Sequence, residues 1–235
     1  AVLPRRSAFS RAAAGRPTSQ QIIAANIDTI FLVTGLDHNF NLRRIERYLT
    51  VASDSGAEPV IVLNKTDLCP EVEARLAEVE AVTRGVPVAA VSAISGHDMN
   101  EVELFIRPGK TVALLGSSGV GKSTLVNRLL GQVIQDTGPA RIDDDRGRHT
   151  TTTRNLFVMP SGGILIDTPG LREIGLWETD VDQTFTDLGE LALQCRFTDC
   201  GHETEPGCAI REAIDTGALD PGRLANWRKL QREQA

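Results

Sequence analysis

No stretch of eighteen apolar residues occurs in the 235-residue chain, so no membrane-spanning helix is expected. Basic charge is not in excess: 25 Lys and Arg face 31 Asp and Glu, a formal net charge of −6, which excludes a broadly basic nucleic-acid coat. There is no long internal repeat. The chain does not begin with methionine, and residues 1–20 hold Arg5, Arg6, Arg11 and Arg16 without a single acid. An arginine-rich, acid-free start is compatible with part of a transit peptide. Val2-Leu-Pro-Arg-Arg-Ser reads better as a strand end running into a linker, as in a trimmed chain whose preceding domain is absent. The hydrophobic content of 41% suffices for one sizeable core plus small appendages.

What is present centres on residues 116–123. Gly116, Ser117, Ser118, Gly119, Val120, Gly121, Lys122 and Ser123 fit G-x-x-x-x-G-K-[ST]. The apolar run Thr111–Leu115 before them reads as a buried strand. Thr124–Leu130 after them has helical spacing and stops at Gly131. Strand, glycine loop and helix form the context that separates a phosphate-binding loop from a chance glycine-rich turn. Glycines let successive backbone N–H groups turn inward around phosphate oxygens at the positive end of the helix. Lys122 reaches the β and γ phosphates, and Ser123 places its hydroxyl on Mg²⁺.

The base is named upstream. Val60–Leu63 reads as a strand ending in Asn64, Lys65, Thr66 and Asp67, the pattern N-K-x-D. A carboxylate at Asp67 accepts from both N1–H and the 2-amino group of guanine. Adenine offers no such pair of donors, so a buried Asp67 would discriminate against it. Asn64 supports the loop and the Lys65 stem lies against the base. A further strand, Val88–Val91, runs into Ser92 and Ala93, where a backbone N–H can meet guanine O6. Alone, N-K-T-D is also an ordinary polar turn after a strand. Downstream, Gly162–Ile166 leads into Asp167-Thr-Pro-Gly170, which is D-x-x-G. Asp167 is expected to hold Mg²⁺ through water and the Gly170 N–H to contact the γ-phosphate. The polar stretch 143–153 between these motifs has no apolar period and reads as a loop. A threonine there, Thr151, is expected to join Mg²⁺ when GTP is bound, forming a switch released on hydrolysis. The base-reading motifs therefore precede the phosphate loop, a circular permutation of the usual order.

Around these motifs, strand and helix alternate. Ile27–Val33 is the first clear strand. Asn41 opens a helix with Leu42, Ile45, Leu49 and Ala52 on one face, and 71–84 is a helix closed by Gly85. The alternation predicts an α/β fold with a mostly parallel sheet. Residues 154–166 predict an antiparallel hairpin around Pro160-Ser-Gly-Gly163. After Leu171 the texture changes. Asp180–Leu193 predicts one or two polar helices, followed by Cys195, Cys200, His202 and Cys208 in the spacing C-x4-C-x-H-x5-C. Three thiolates and an imidazole have the composition of a structural Zn²⁺ site, and four protein ligands leave no open position for catalysis. Disulfides or unrelated buried cysteines are the alternatives. A cytoplasmic, reducing setting disfavours the former. Cys69 stands alone and reads as a small, partly buried side chain. From Gly222 a last helix sets Leu224, Trp227 and Leu230 on one side and Arg228, Lys229 and Arg232 on the other. The basic side is either a solvated face or an RNA phosphate contact.

Together, the permuted order, G-S-S-G-V-G-K-S-T over 116–124, Gly147-Arg-His-Thr-Thr-Thr, D-T-P-G-L-R-E-I-G-L-W from Asp167, and the Cys/His spacing followed by Ala209-Ile-Arg-Glu-Ala resemble the ribosome small-subunit-dependent GTPase A (RsgA) family. The resemblance runs from Ile22 onward and adds Thr124 to the nucleotide contacts. It implies a circularly permuted GTPase domain at 21–177 and a small helical zinc-binding domain at 178–235. Residues 1–20 would be the remnant and linker of an N-terminal oligonucleotide-binding barrel, with Val2–Phe9 in its last strand. It further implies a cytoplasmic GTP hydrolase, binding GTP and GDP, that acts on the small ribosomal subunit and its rRNA late in assembly and is stimulated by it. A monomer is expected. Where many regulatory GTPases place a water-orienting glutamine after D-x-x-G, this chain has Leu171, which cannot hydrogen-bond. His149 is the candidate for that role; an inert, solvent-exposed histidine is the alternative. Some permuted GTPases bind K⁺ through an asparagine in the phosphate loop. The matching position here is Gly119, so no potassium site is expected. Three other classes remain: a GTP-gated rRNA-binding factor whose hydrolysis is incidental, a permuted GTPase of the large subunit, and an ATPase or kinase. The Cys/His module opposes the second and Asp67 the third.

Overall fold

The structure, a computed structural model, describes residues 4–13, 16–134, 155–167 and 180–234. The chain divides into two compact units, Ala1–Gly175 and Leu176–Ala235. No helix among the described residues is long and apolar enough to cross a membrane.

The first unit opens with an antiparallel hairpin of β1 (Ala8–Ala13) and β2 (Arg16–Ala25). Its base is fastened to the rest of the unit by polar contacts. The Ser7 hydroxyl donates to the Ile27 carbonyl at 2.6 Å, the Ala8 N–H to Ser55 O at 3.0 Å, and the Arg6 N–H to Asn26 Oδ1 at 2.8 Å. The sequence hides most of β2 because residues 16–21 hold no apolar run; only residues 22–25 do.

The alternation then appears as read: β3 (Thr29–Gly35), α1 (Leu42–Asp54), β4 (Glu58–Asn64), α2 (Val72–Thr83), β5 (Val88–Ala90), a short α3 (Met99–Glu103), β6 (Thr111–Leu115), α4 (Lys122–Leu130), β7 (Asn155–Val158) and β8 (Ile164–Asp167). The caps explain the boundaries. Asn41 accepts the Arg44 N–H at 3.1 Å and starts α1. Arg84 turns left-handed to end α2, with Val79 and Val82 buried beneath it and Val72 and Leu76 half-buried. Gly131, at φ 68°, ends α4.

The six-stranded sheet runs β5-β4-β3-β6-β8-β7 and is parallel except for β7, the returning arm of the hairpin with β8. Every residue of β3 is buried, as a central parallel strand requires. Phe31 meets Phe105 edge-on at 6.3 Å within a core that includes Val62, Leu114, Leu125 and Leu165. Each such side chain contributes about 1.5–3 kcal/mol by leaving water. The chain goes from β3 to β4 and β5 on one side, then returns through β6 on the other. β3 and β6 therefore flank the switch point of the sheet, where α/β folds open a crevice at the carboxyl ends of their strands. Gly35, Asn64, Leu115 and Asp167 all stand at those ends.

The second unit holds a 3-10 turn at Val181–Gln183, two short helices, α5 (Thr186–Ala192) and α6 (Ala209–Asp215), and a longer one, α7 (Pro221–Gln234). Phe185, Leu188, Ile210 and Leu230 are at most 1% exposed and form its centre. Beside them lies a buried ion pair: Arg223 Nε and Nη2 donate to the two Asp187 oxygens at 2.6 and 2.7 Å. The same guanidinium lies over the Phe185 ring at 4.7 Å.

Candidate functional site

The phosphate loop bridges β6 and α4 in a space shaped by missing side chains. A Cβ on Gly116 would collide with the Val33 carbonyl of β3, and one on Gly121, at φ +96°, with the Asn64 amide. The two glycines therefore let the loop lie close against the carboxyl ends of β3 and β4. Lys122, the first residue of α4, folds back so that Nζ donates to the Gly116 and Ser117 carbonyls, each at 2.8 Å. Burial lowers its pKa to about 8, against the opposing pull of the Asp167 carboxylate. A lysine held by carbonyls over a helix N-terminus is poised for an anion that can restore its charge. Ser123 and Thr124 sit half-buried in the first turn of α4, and Ser118 and Gly119 form the exposed bend.

Asn64 joins the motifs that the permutation separates. It is 2% exposed. Its Nδ2 donates to the Val120 carbonyl of the phosphate loop at 2.9 Å, and its Oδ1 accepts the Ala93 N–H at 3.0 Å. The Ala93 N–H is thus engaged in supporting the loop. Lys65, left-handed at φ 68°, sends Nζ to the Gly119 carbonyl at 2.5 Å and to Asp37 Oδ2 at 2.7 Å. Thr66 and Asp67 continue in a 3-10 turn, and the Ser92 hydroxyl donates to Asp67. Asp67 is solvent-exposed, where the sequence reading had it buried: it lies beyond the buried strand end in a surface turn. Its discrimination between bases then rests on a bound base covering it.

Asp167 is 2% exposed at the end of β8, in register with Leu114 of β6 just before the phosphate loop. Its carboxylate and the Ser123 hydroxyl are hard oxygen donors of the kind Mg²⁺ takes. His149, Thr151 and Gly170 lie outside the described residues.

Three side chains of this region were invisible to motif reading. Asp37 holds Lys65. Arg44 Nη1 donates to the buried Ser117 hydroxyl at 3.2 Å. Arg128, on α4, donates through Nε to Ala93 O at 2.9 Å and through Nη2 to Ile94 O at 2.5 Å, tying the phosphate helix to the Ser-Ala loop. No motif spacing contains them, because each acts across 28 or more residues of sequence.

In the second unit Cys195, Cys200, His202 and Cys208 converge, with all ligand atoms within 4.8 Å of one another. Cys195 Sγ and Cys208 Sγ lie 3.6 and 3.5 Å from His202 Nδ1 and 4.0 Å from each other. A tetrahedral metal with bonds of about 2.0–2.3 Å sets its ligands roughly 3.5–3.8 Å apart, so the donor set fits. All four cysteines of the chain are free thiols. Burial first, then the charge of Arg228, holds the His202 pKa below its ordinary value, favouring the neutral ring that binds metal. The knuckle is braced from outside. The Glu205 carboxylate accepts N–H groups from Gly201, Glu203 and Thr204, at 3.0, 2.8 and 3.0 Å. Arg228 Nη2 of α7 donates to the Gly201 carbonyl at 2.7 Å. One member of the basic face expected on the last helix is therefore turned to its own unit.

The model of the RsgA GTPase family matches residues 2–177. The "Small ribosomal subunit biogenesis GTPase RsgA" of Opitutus terrae is 57% identical over all of this chain, which covers 65% of that relative. The relative of the same name from Xylella fastidiosa strain M12 is 52% identical over 99% of this chain and 71% of its own length. The chain thus spans about two thirds of the length of the curated relatives it matches. Among solved structures, the crystal structure of YjeQ from Thermotoga maritima superposes with a TM-score of 0.69 at 29% identity, over 99% of this chain and 77% of that one. YloQ, described as a circularly permuted GTPase, shares the fold with a TM-score of 0.62 at 21% identity, over 100% and 83%. With its motifs permuted and its site assembled across β3, β4, β6 and β8, this chain belongs to the RsgA GTPase family.

Proposed function

We propose that this chain is a GTP hydrolase that works on the small ribosomal subunit during its late maturation and is stimulated by that subunit. The observation that carries the nucleotide half is Asn64, whose two hydrogen bonds draw the N-K-x-D loop, the Ser-Ala loop and the phosphate loop into one crevice. The name borne by the relatives supports the ribosomal half.

In this reading Asp67 accepts two hydrogen bonds from guanine, and the Lys65 stem lies against the base. Residues 116–124 give backbone N–H groups and the Lys122 ammonium to the phosphates. Mg²⁺ supplies charge neutralisation at the phosphates, held by Ser123, Asp167 and Thr151. His149 orients the attacking water, since Leu171 cannot. Zn²⁺ occupies the Cys195, Cys200, His202 and Cys208 cluster as a structural ion. The chain after Asp167 continues directly into the metal-bearing unit, so nucleotide state and subunit contact are coupled reciprocally, as linkage demands of binding. Such a protein works in the cytoplasm as a monomer.

The test is steady-state GTP turnover by the chain alone, with purified small subunits and with large subunits, and with ATP as competitor. Stimulation by small subunits only, unaffected by ATP and lost in His149→Ala, is the expected result. Binding of small subunits that is GTP-dependent without any rise in turnover would replace this reading with that of a GTP-gated assembly factor.

A further inference from the structure

The β3–α1 loop contributes a carboxylate to the nucleotide crevice that neither the motifs nor the proposed chemistry uses. Asp37 lies two residues beyond the end of β3, with its side chain only 10% exposed. Its Oδ2 accepts from Lys65 Nζ at 2.7 Å, and its Oδ1 accepts the Asn39 N–H at 3.0 Å. The same lysine nitrogen donates to the Gly119 carbonyl, at the outer bend of the phosphate loop. Asp37, Lys65 and Gly119 thus form a chain of contacts across three separate loops.

The surroundings are built for this contact. Gly35 has no side chain, and a Cβ there would come within 2.9 Å of Asp37 Oδ1 and 3.4 Å of Lys65 Cδ. Only a glycine leaves room for the carboxylate and the lysine stem to pass each other. Lys65 also holds a left-handed backbone at φ 68°, uncommon for a residue with a side chain and stable only when its contacts over-determine it. Although burial opposes it, the hydrogen bonds from Lys65 and Asn39 keep the Asp37 carboxyl below the ordinary carboxylate range, so the pair is ionic at neutral pH.

A bare lysine on this loop would have a flexible stem of four carbons and a choice of rotamers. Ordering it on ligand binding costs side-chain entropy. A carboxylate that fixes the ammonium beforehand removes that cost from the binding step, which is how preorganisation raises affinity. It also neutralises itself, so that it does not repel the phosphates nearby.

We propose that Asp37 is a positioning residue for the purine nucleotide. Its carboxylate pins Lys65 to the Gly119 carbonyl, sets the lysine stem as a ready-made wall for the base, and holds the phosphate loop's outer bend in its binding shape. The inference rests on the guanine-nucleotide reading above and adds a residue to it.

The experiment is stopped-flow dissociation of mant-GDP from the full chain and from Asp37→Asn, Lys65→Met and the double variant, with thermal melts as a folding control. Wild type must first bind mant-GDP; if it does not, the guanine-nucleotide reading itself fails. Given binding, Asp37→Asn is expected to speed dissociation about tenfold, and to add little in the Lys65→Met background. That loss of effect is something a merely structural role in the β3–α1 loop would not produce. An unchanged rate in Asp37→Asn, or the same acceleration with and without Lys65, overturns the proposal. Should Asp37→Asn not fold, Asp37→Glu carries the same comparison, because its longer stem keeps the charge but moves it off the 2.7 Å contact.

Discussion

The two units are held together by different means. The first balances nineteen Lys and Arg against nineteen Asp and Glu over residues 1–175 and buries a parallel sheet whose central strands are almost wholly apolar. The second sets six basic residues against twelve acidic ones in residues 176–235, so the chain's whole net charge of −6 resides there. It has no sheet, and its apolar centre is supplemented by the Asp187–Arg223 pair, a Trp227 Nε1 hydrogen bond to Asp182 at 2.9 Å, and the Cys/His cluster, all among the described residues. A domain of sixty residues has so much surface for its volume that apolar burial leaves it marginal, and polar or metal fasteners add to it. The acid excess also bears on recognition. It counts against broad, sequence-independent phosphate contact by the second unit as a whole.

Metal removal should separate the units most sharply. Structural zinc contributes on the order of 10 kcal/mol of folding free energy in small domains. Chelation, or Cys208→Ser, should abolish cooperative melting of the second unit while mant-GDP binding to the first persists. A second unit that still melts cooperatively without metal would break the contrast. The ion pair comes next. Asp187→Ala leaves the Arg223 guanidinium, 3% exposed, without its carboxylate and should cost about 3–5 kcal/mol. Calorimetry should place that loss in the transition of the second unit alone.

The smallest effect concerns pH and belongs to the first unit. With its pKa lowered by burial to about 8, Lys122 is largely neutral in the nucleotide-free protein above that pH, while in the unfolded chain it keeps its proton up to the ordinary value of 10.5. From this group, stability therefore rises between those values. Bound phosphates raise the pKa again, so binding takes up a proton in the same range. Nucleotide affinity should consequently fall by up to about tenfold per pH unit above 8. Melting and mant-GDP titrations at pH 7.5 and 9 should move in opposite directions. Movement in the same direction would show that Lys122 does not control the site.

Much of this was legible in the sequence because the informative signals are short. The phosphate loop, N-K-x-D and the Cys/His spacing each lie within fourteen residues, and Thr111–Leu115 and Asn41 mark a strand and a cap directly. The contacts that complete the site are different in kind. Asp37 to Lys65, Arg44 to Ser117, Arg128 to Ala93 and Asp187 to Arg223 join residues 28 to 73 positions apart. Their partners are chosen by how the strands line up, which no local pattern encodes. The β1–β2 hairpin escaped for a related reason, since β1 and the first six residues of β2 lack an apolar run and only their pairing defines them. Asp67 shows the converse: its motif is local and easily seen, but its exposure depends on where the turn meets the surface.

The placement of β3 also matters during synthesis. It is an interior strand, yet it leaves the translating ribosome before either neighbour. One flank closes soon, when β4 arrives at Glu58; the other stays open until Thr111 begins β6. Throughout that interval a largely apolar ribbon shows one unsatisfied row of amides and carbonyls to whatever is close by. A nascent chain stalled between Asn64 and Thr111 is thus this protein at its stickiest, and a chaperone would find its target there.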